Sequence, residues 1–235
     1  MMDAAMILEN VARIRETMAQ AARAAGRAPE EIRLCAATKM NDAEAVRAAI
    51  AAGVDCCGEN RVQELQQKLP LGAYEGRPLH FIGRLQTTKV KYLVGTVDMI
   101  ESVDRMELLE VIDKLARRRG VRQDILLEVN IAGQESKAGF TADEARQVAE
   151  KMAEYPGVRL CGLMAIPPVS EKMGDNRIFF RQMRQLFVDI KAKRYDNVAM
   201  ECLSMGMSDD YPDAIAEGST MIRVGTAIFG ARHYA

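Results

Sequence analysis

A short apolar run followed at once by an amphipathic segment recurs eight times in this chain of 235 residues, and the recurrence constrains the fold more than any other feature. Before the first repeat, Ile7, Val11, Ile14, Met18, Ala21 and Ala25 fall at alternating spacings of four and three, with Gly26 and Pro29 as stops. The spacing predicts one amphipathic helix over residues 4–25. The apolar runs predict strands at Ile32 to Ala37, Val54 to Cys57, Leu79 to Ile82, Val97 to Glu101, Asp124 to Val129, Val158 to Ala165, Val198 to Leu203 and Met221 to Val224. Helices are expected after them, in turn: Ala43 to Ala52 behind Asn41 or Asp42 as cap; from Gly58-Glu59-Asn60 through Lys68; from Gly83-Arg84-Leu85 to Val94; Arg105 to Arg119; Ala142 to Tyr155; from beyond Pro167-Pro168 to Arg194; Tyr211 to Glu217; and Thr226 to Phe229. With no long linker and no shift in composition, eight such units predict an α/β fold, a single (β/α)8 TIM barrel over residues 1–235 with an extra N-terminal helix. An open doubly wound sheet ranks second, because no G-x-G-x-x-G follows the first strand and no G-x-x-x-x-G-K occurs.

Charge and composition narrow the partners. Thirty-two basic and thirty-three acidic residues leave a net charge of −1 with no basic stripe, and six Tyr, six Phe and no Trp offer little for base stacking, so nucleic acid is not expected. Hydrophobic residues make up 49% of the chain without a run of membrane-spanning length, and Asp3 and Glu9 argue against a signal peptide. A cytoplasmic protein with no membrane partner is expected. Cys35, Cys56, Cys57, Cys161 and Cys202 are odd in number and mostly embedded in apolar runs, which predicts reduced core thiols. His80 and His233 are too few for a His/Cys metal site.

In a barrel the functional groups lie at the C-terminal ends of the strands, with phosphate sites frequent after strands seven and eight. Ser204-Met205-Gly206-Met207-Ser208 and Arg223-Val224-Gly225-Thr226 occupy those positions. Ser204 and Ser208 bring hydroxyl donors, Gly206 and Gly225 allow close backbone approach, and a helix beginning at Thr226 adds N–H groups; the glycines alternatively only make tight turns. Lys39 closes the first strand, which barrel closure brings beside strand eight. It is either an amine available for an aldehyde or an ordinary snorkelling lysine. Arg223 lies inside Met221-Ile222-Arg223-Val224 and needs an acceptor, either a carboxylate or the ring nitrogen of a pyridine cofactor.

Ala37-Thr38-Lys39, Gly58-Glu59-Asn60-Arg61-Val62-Gln63-Glu64, His80-Phe81-Ile82-Gly83, Leu85-Gln86, Leu203 through Asp209 and Ile222-Arg223-Val224-Gly225 together resemble the pyridoxal phosphate homeostasis proteins, the YggS/PROSC family. The match keeps its order from the first strand to the C-terminus. It departs at Thr87-Thr88-Lys89, where the family has Asn before the Lys, and at Leu79, where an aromatic residue commonly precedes the His. The resemblance implies a barrel similar to the alanine racemase N-terminal domain and to fold-type III decarboxylases, with pyridoxal 5'-phosphate carried as an imine on Lys39. It further implies Ser204, Gly225 and Thr226 at the phosphate, with Met205 and Ser208 nearby, Arg223 at the pyridine nitrogen, Asn60 beside the ring, and Lys137 as a second lysine near the pocket. His80 reads as a packed, hydrogen-bonded structural histidine.

An arginine at the ring nitrogen keeps it unprotonated and weakens the electron sink, which handicaps carbanion chemistry. Alanine racemase meets that handicap with a tyrosine from a further domain. The last repeat here ends close to Ala235, so no such domain is expected. The expected role is therefore intracellular pyridoxal phosphate homeostasis, buffering the cofactor or delivering it to apo-enzymes, by a monomer without substantial turnover. The alternative is a small amino-acid racemase. Lys137 is either a solvated loop lysine or a relay that accepts the aldehyde from Lys39.

Overall fold

Eight parallel strands in chain order close into a barrel in the computed structural model, which describes residues 3–169, 172 and 174–230. His233 lies outside the described residues. The strands are β1 (Arg33–Ala37), β2 (Cys56–Glu59), β3 (Leu79–Phe81), β4 (Met99–Val103), β5 (Gln123–Glu128), β6 (Val158–Met164), β7 (Val198–Ser204) and β8 (Met221–Val224). Closure is made by β1 against β8, where Cys35 stands beside Arg223, as Cys35 stands beside Cys56 of β2 on its other edge. The doubly wound alternative is thereby excluded.

Strand alternation divides the side chains into two sets. One set, Cys35, Cys56, Met99, Leu126, Cys161, Met164, Cys202 and Met221, forms a buried cluster of its own inside the barrel, and all but Leu126 carry sulfur. The other set, including Leu34, Leu79, Ile125, Leu163 and Ile222, packs outward against the helices. All five cysteines are buried free thiols.

The helices are α1 (Ala4–Ala24), α2 (Ala43–Ala51), α3 (Val62–Lys68), α4 (Met106–Arg119), α5 (Ala142–Glu150), α6 (Arg177–Lys193), α7 (Tyr211–Ala216) and α8 (Thr226–Phe229). Asp42 caps α2, its carboxylate accepting from the Ala45 N–H at 2.8 Å. The added helix α1 is capped by Asp3 and buries Ile7, Val11, Ile14 and Met18 against Ile32, Leu34, Ile222, Ile228 and Phe229. It therefore covers the seam where β8 meets β1.

Two expected helices differ in the structure. The segment after β3 is a 3-10 helix, Thr87–Tyr92, because it is short, opens on two β-branched threonines and is closed by a turn at Gly95 with φ 72°. The helix expected to reach Tyr155 ends at Glu150 and continues as a 3-10 turn, Met152–Glu154. Pro156 forces Tyr155 out of the helical region, to ψ 70°.

Candidate functional site

The C-terminal ends of the strands gather most of the residues singled out from the sequence. Lys39 lies two residues beyond the end of β1. Directly after it Met40 takes a left-handed φ of 62°, held by the Glu64 carboxylate, which accepts from the Met40 N–H at 2.6 Å. Such a φ is uncommon outside glycine, so this turn fixes where the Lys39 backbone ends up. On its other side, the Thr38 hydroxyl donates to Glu59 at 3.1 Å and the Thr38 carbonyl accepts from Lys68 Nζ at 2.8 Å.

Glu59 is the hub of this support, and nothing in the strand pattern pointed to it. Its Oε2 accepts from Lys68 at 2.8 Å, Tyr74 at 3.1 Å and Thr38, while its Oε1 accepts from the Asn60 N–H at 2.8 Å. One fully buried carboxylate thus fixes both the residue before Lys39 and the backbone of Asn60. With these donors its charge is compensated, as a buried carboxylate requires. Gly83 lets the β3 loop approach: a Cβ there would lie 2.2 Å from the Asn60 carbonyl oxygen. The Asn60 Oδ1 is buried and has no hydrogen-bond partner among the described residues. A buried amide oxygen without a donor is costly, and its place at the mouth marks it for a ligand.

Across the barrel, four strands contribute a connected polar chain. His80 Nδ1 lies 2.6 Å from Glu101 Oε1, Ser204 Oγ donates to Glu101 Oε2 at 2.6 Å, and Arg223 NH1 donates to Ser204 Oγ at 2.5 Å. The other Arg223 terminal nitrogen donates to the Ala165 carbonyl at 2.9 Å. Burial opposes ionisation of Glu101, but the His80 hydrogen bond and charge, then Arg223 and Ser204, hold it below the usual carboxylate range. Burial likewise opposes a charged His80. Cys56 and the Glu101 carboxylate outweigh that and push its pKa up to about 8. His80 is thus the packed, hydrogen-bonded histidine that its position in strand three suggests. Of the two acceptors open to Arg223, a carboxylate is in place: Glu101 lies at 4.0 Å, bridged by the Ser204 hydroxyl.

The β7 and β8 loops are brought together. The Arg223 N–H donates to the Gly206 carbonyl at 2.9 Å, and the Ala227 N–H donates to the Ser208 hydroxyl at 3.3 Å. Gly206 needs its φ of 95°, and a Cβ there would press on Ala214 at 2.6 Å. Gly225, at φ −118°, is under no such demand; its imagined Cβ lies 3.3 Å from the Ala37 carbonyl, which sets the β8 loop against the end of β1 and so near Lys39. Met205 is turned away, with its side chain in the hydrophobic core, its N–H given to Met221 and its carbonyl to Ser219. Lys137, on the loop after β5, reaches to the β6 loop and donates to the Pro167 carbonyl at 2.8 Å and the Ile166 carbonyl at 3.3 Å. Burial lowers its pKa, with Glu128 opposing. Glu128, last in β5, is pushed up to about 7 by burial and by Asp104, against the pull of Arg223, Arg84 and Lys137.

Sequence reasoning missed Glu59, Glu101 and Glu128. Each ends or interrupts an apolar run, and the signal available was register: Glu101 shares the parity of Met99 and points inward with it.

Comparison with known proteins gives the family. The family model for the alanine racemase N-terminal domain matches residues 4–233. The pyridoxal phosphate homeostasis protein of Aquifex aeolicus is 42% identical over 226 residues, covering 96% of this chain and 98% of its own. A crystal structure of an unknown protein from Bifidobacterium adolescentis superposes with a TM-score of 0.91 at 39% identity, covering 97% of this chain and 98% of that one. The structure of PipY from Synechococcus elongatus with PLP bound superposes with a TM-score of 0.81 at 32% identity, covering 95% of this chain and 100% of that one.

Proposed function

This chain belongs to the alanine racemase N-terminal domain family and, within it, to the pyridoxal phosphate homeostasis proteins, and from that premise we propose that it binds pyridoxal 5'-phosphate at the mouth of the barrel and serves its homeostasis. The observation that carries the reading is the meeting of Lys39, Arg223 and the β7 and β8 loops at one end of the barrel. The residues fit the cofactor: an amine, a guanidinium and serine hydroxyls as donors, a glycine-bordered loop, and the orphaned Asn60 amide oxygen as an acceptor. When bound, the cofactor supplies an aldehyde that joins reversibly to the Lys39 amine.

The protein's own residues divide the work. Ser204, Ser208, Gly225 and Thr226 hold the phosphate. Ser204 has one hydroxyl hydrogen, now given to Glu101, so it must turn that hydrogen away from Glu101 to donate to a phosphate oxygen. Arg223 would face the ring nitrogen, and a guanidinium, which does not readily give up a proton, would leave that nitrogen unprotonated. Its geometry is set by the Ala165 carbonyl and by the Ser204–Glu101–His80 chain. Asn60 flanks the ring, whereas Met205, its side chain in the core and its backbone bonded to Met221 and Ser219, only shapes the loop. Lys137 stands as a second amine for release. An arginine at the ring favours holding the cofactor over using it, so the role is buffering the cofactor or delivering it to apo-enzymes without substantial turnover, by a chain that acts as a monomer.

The test is an absorbance spectrum of the purified protein, before and after borohydride, followed by peptide mapping. A pyridoxyl group fixed on Lys39 and absent from Lys39→Ala is expected; the same group retained in Lys39→Ala rejects the assignment. Incubating the loaded protein with L-alanine and L-serine is expected to give no D-enantiomer, and sustained racemisation would overturn the carrier role in favour of a racemase. Slower transfer to an apo-enzyme from Lys137→Ala than from wild type is expected if Lys137 assists release.

A further inference from the structure

Beside the mouth, between the loops that follow β2, β3 and β4, lies a cavity of about 570 Å³ whose walls carry Arg61, Arg84, Lys89 and Arg105. Among the described residues no carboxylate lines it. Two of the four cations are neutralised from outside: Arg61 lies 3.6 Å from Glu64, while Arg105 is paired with Asp104 and lies 3.7 Å from Glu107. The other two are not. Among the described residues neither Arg84 nor Lys89 has a carboxylate within 4.0 Å; Lys89 only faces the Tyr92 ring at 5.8 Å, and Arg84 acts on Glu128 at longer range. The cavity thus holds two positive charges in excess of its counter-ions, on side chains that repel one another when nothing lies between them.

We propose that this cavity binds a phosphate monoester, at a site separate from the cofactor mouth. The charge decides the class. A phosphate monoester carries −1.5 to −2 at neutral pH and matches the excess, whereas a carboxylate brings only −1. Guanidinium forks suit the phosphate oxygens, Arg84 from the loop after β3 and Arg105 from the loop after β4, with the Lys89 ammonium as a point charge. The volume suits a small molecule held between the loops. Asn60 borders both this cavity and the mouth, so a ligand here abuts the residue that flanks the cofactor ring. The charge argument does not depend on what the mouth binds.

Titration calorimetry of the full chain with phenyl phosphate, using benzoate as the singly charged control at the same ionic strength, tests the site. Saturable binding of phenyl phosphate at least tenfold tighter than benzoate is expected. Arg84→Gln, a change at an exposed side chain that leaves the core untouched, is expected to weaken it several-fold, and Arg84→Gln with Lys89→Gln tenfold or more. Ser208→Ala, which removes a hydroxyl from the proposed phosphate loop of the mouth, is expected to retain it, and loss of binding in that variant would put the probe at the mouth and overturn the proposal. Equal binding of benzoate, binding unchanged by the double substitution, or no saturable binding by the wild type would each overturn the proposal. A glutamate-rich peptide that binds tighter than phenyl phosphate would overturn it too, in favour of an acidic protein surface.

Discussion

At the scale of the single residue, the site depends on buried carboxylates whose costs are met in different ways. Glu59 and Glu101 are fully buried and surrounded by donors. Glu128, half-buried at the end of β5, has no such donors among the described residues, and desolvation and Asp104 push its pKa up to about 7. Its folded-state pKa is raised, so the folded protein disfavours the charged form. The penalty is absent well below 4.5, grows as pH rises toward 7 and is complete above it. Glu128→Gln is therefore expected to be more stable than wild type at pH 8.5, by up to about 3 kcal/mol, with the gap shrinking markedly by pH 5. Urea unfolding at the two pH values measures it; a gap independent of pH would mean that the carboxylate is not held neutral. The sequence displayed Lys39 and Arg223 because a charge next to an apolar run is conspicuous. It did not display the glutamates, since a polar residue ending a run reads equally well as the point where the strand leaves the core.

At the scale of the element, the glycines are of two kinds that the sequence does not distinguish. Gly162 has φ 150°, and a Cβ there would lie 1.8 Å from the Cys202 carbonyl oxygen, inside the β6–β7 pair. Gly225 has an ordinary φ and a nearest neighbour at 3.3 Å. The same substitution should therefore separate a structural glycine from a functional one. Gly162→Ala is expected to destabilise the barrel by about 3 kcal/mol or more, because β7 must move to admit the methyl. Gly225→Ala is expected to change the urea midpoint little, while weakening cofactor retention because the added methyl crowds the loop proposed to receive the phosphate. Loss of stability in Gly225→Ala equal to that in Gly162→Ala would remove Gly225 from the site. Strand order, by contrast, was legible: eight βα repeats leave few ways to bury each apolar run, and the right-handed crossover rule leads to the barrel. Element ends were not, because Pro156 shortens α5 through the backbone of its neighbour and no side-chain periodicity reports that.

At the scale of the whole molecule, the barrel is unevenly sewn, and the proposed phosphate loops lie at its thinnest seam. β5 and β6 pair from Gln123–Val158 to Glu128–Met164, whereas β7 meets β8 through the single register pair Ser204–Met221. Main-chain bonds around that pair, from Thr220 to Leu203, Met205 to Met221 and Arg223 to Gly206, and several side chains make up the difference. Thr220 Oγ1 accepts from the Leu203 N–H at 2.8 Å, Ser219 donates to the Met205 carbonyl at 2.8 Å, and Arg27 donates to the Ile215 and Ser219 carbonyls. Above all, α1 lies over β8 and β1, with Asn10 donating to the Ile228 carbonyl at 3.0 Å and Arg15 bonded to Asp55 at 2.7 Å. The extra N-terminal helix, visible in the sequence only as an amphipathic prefix, acts as the clamp of the site. Ile14→Ala removes buried carbon from that clamp and is expected to cost about 2–4 kcal/mol. Because local opening follows the weakest packing, amide exchange in residues 221–229 should accelerate more than in β4 to β6. Hydrogen exchange read by mass spectrometry distinguishes this from a general loss of stability, in which all strands would accelerate together and α1 would be no more than part of a common core. Acceleration confined to the seam would tie the retention of a ligand by the β7 and β8 loops to a helix at the opposite end of the chain.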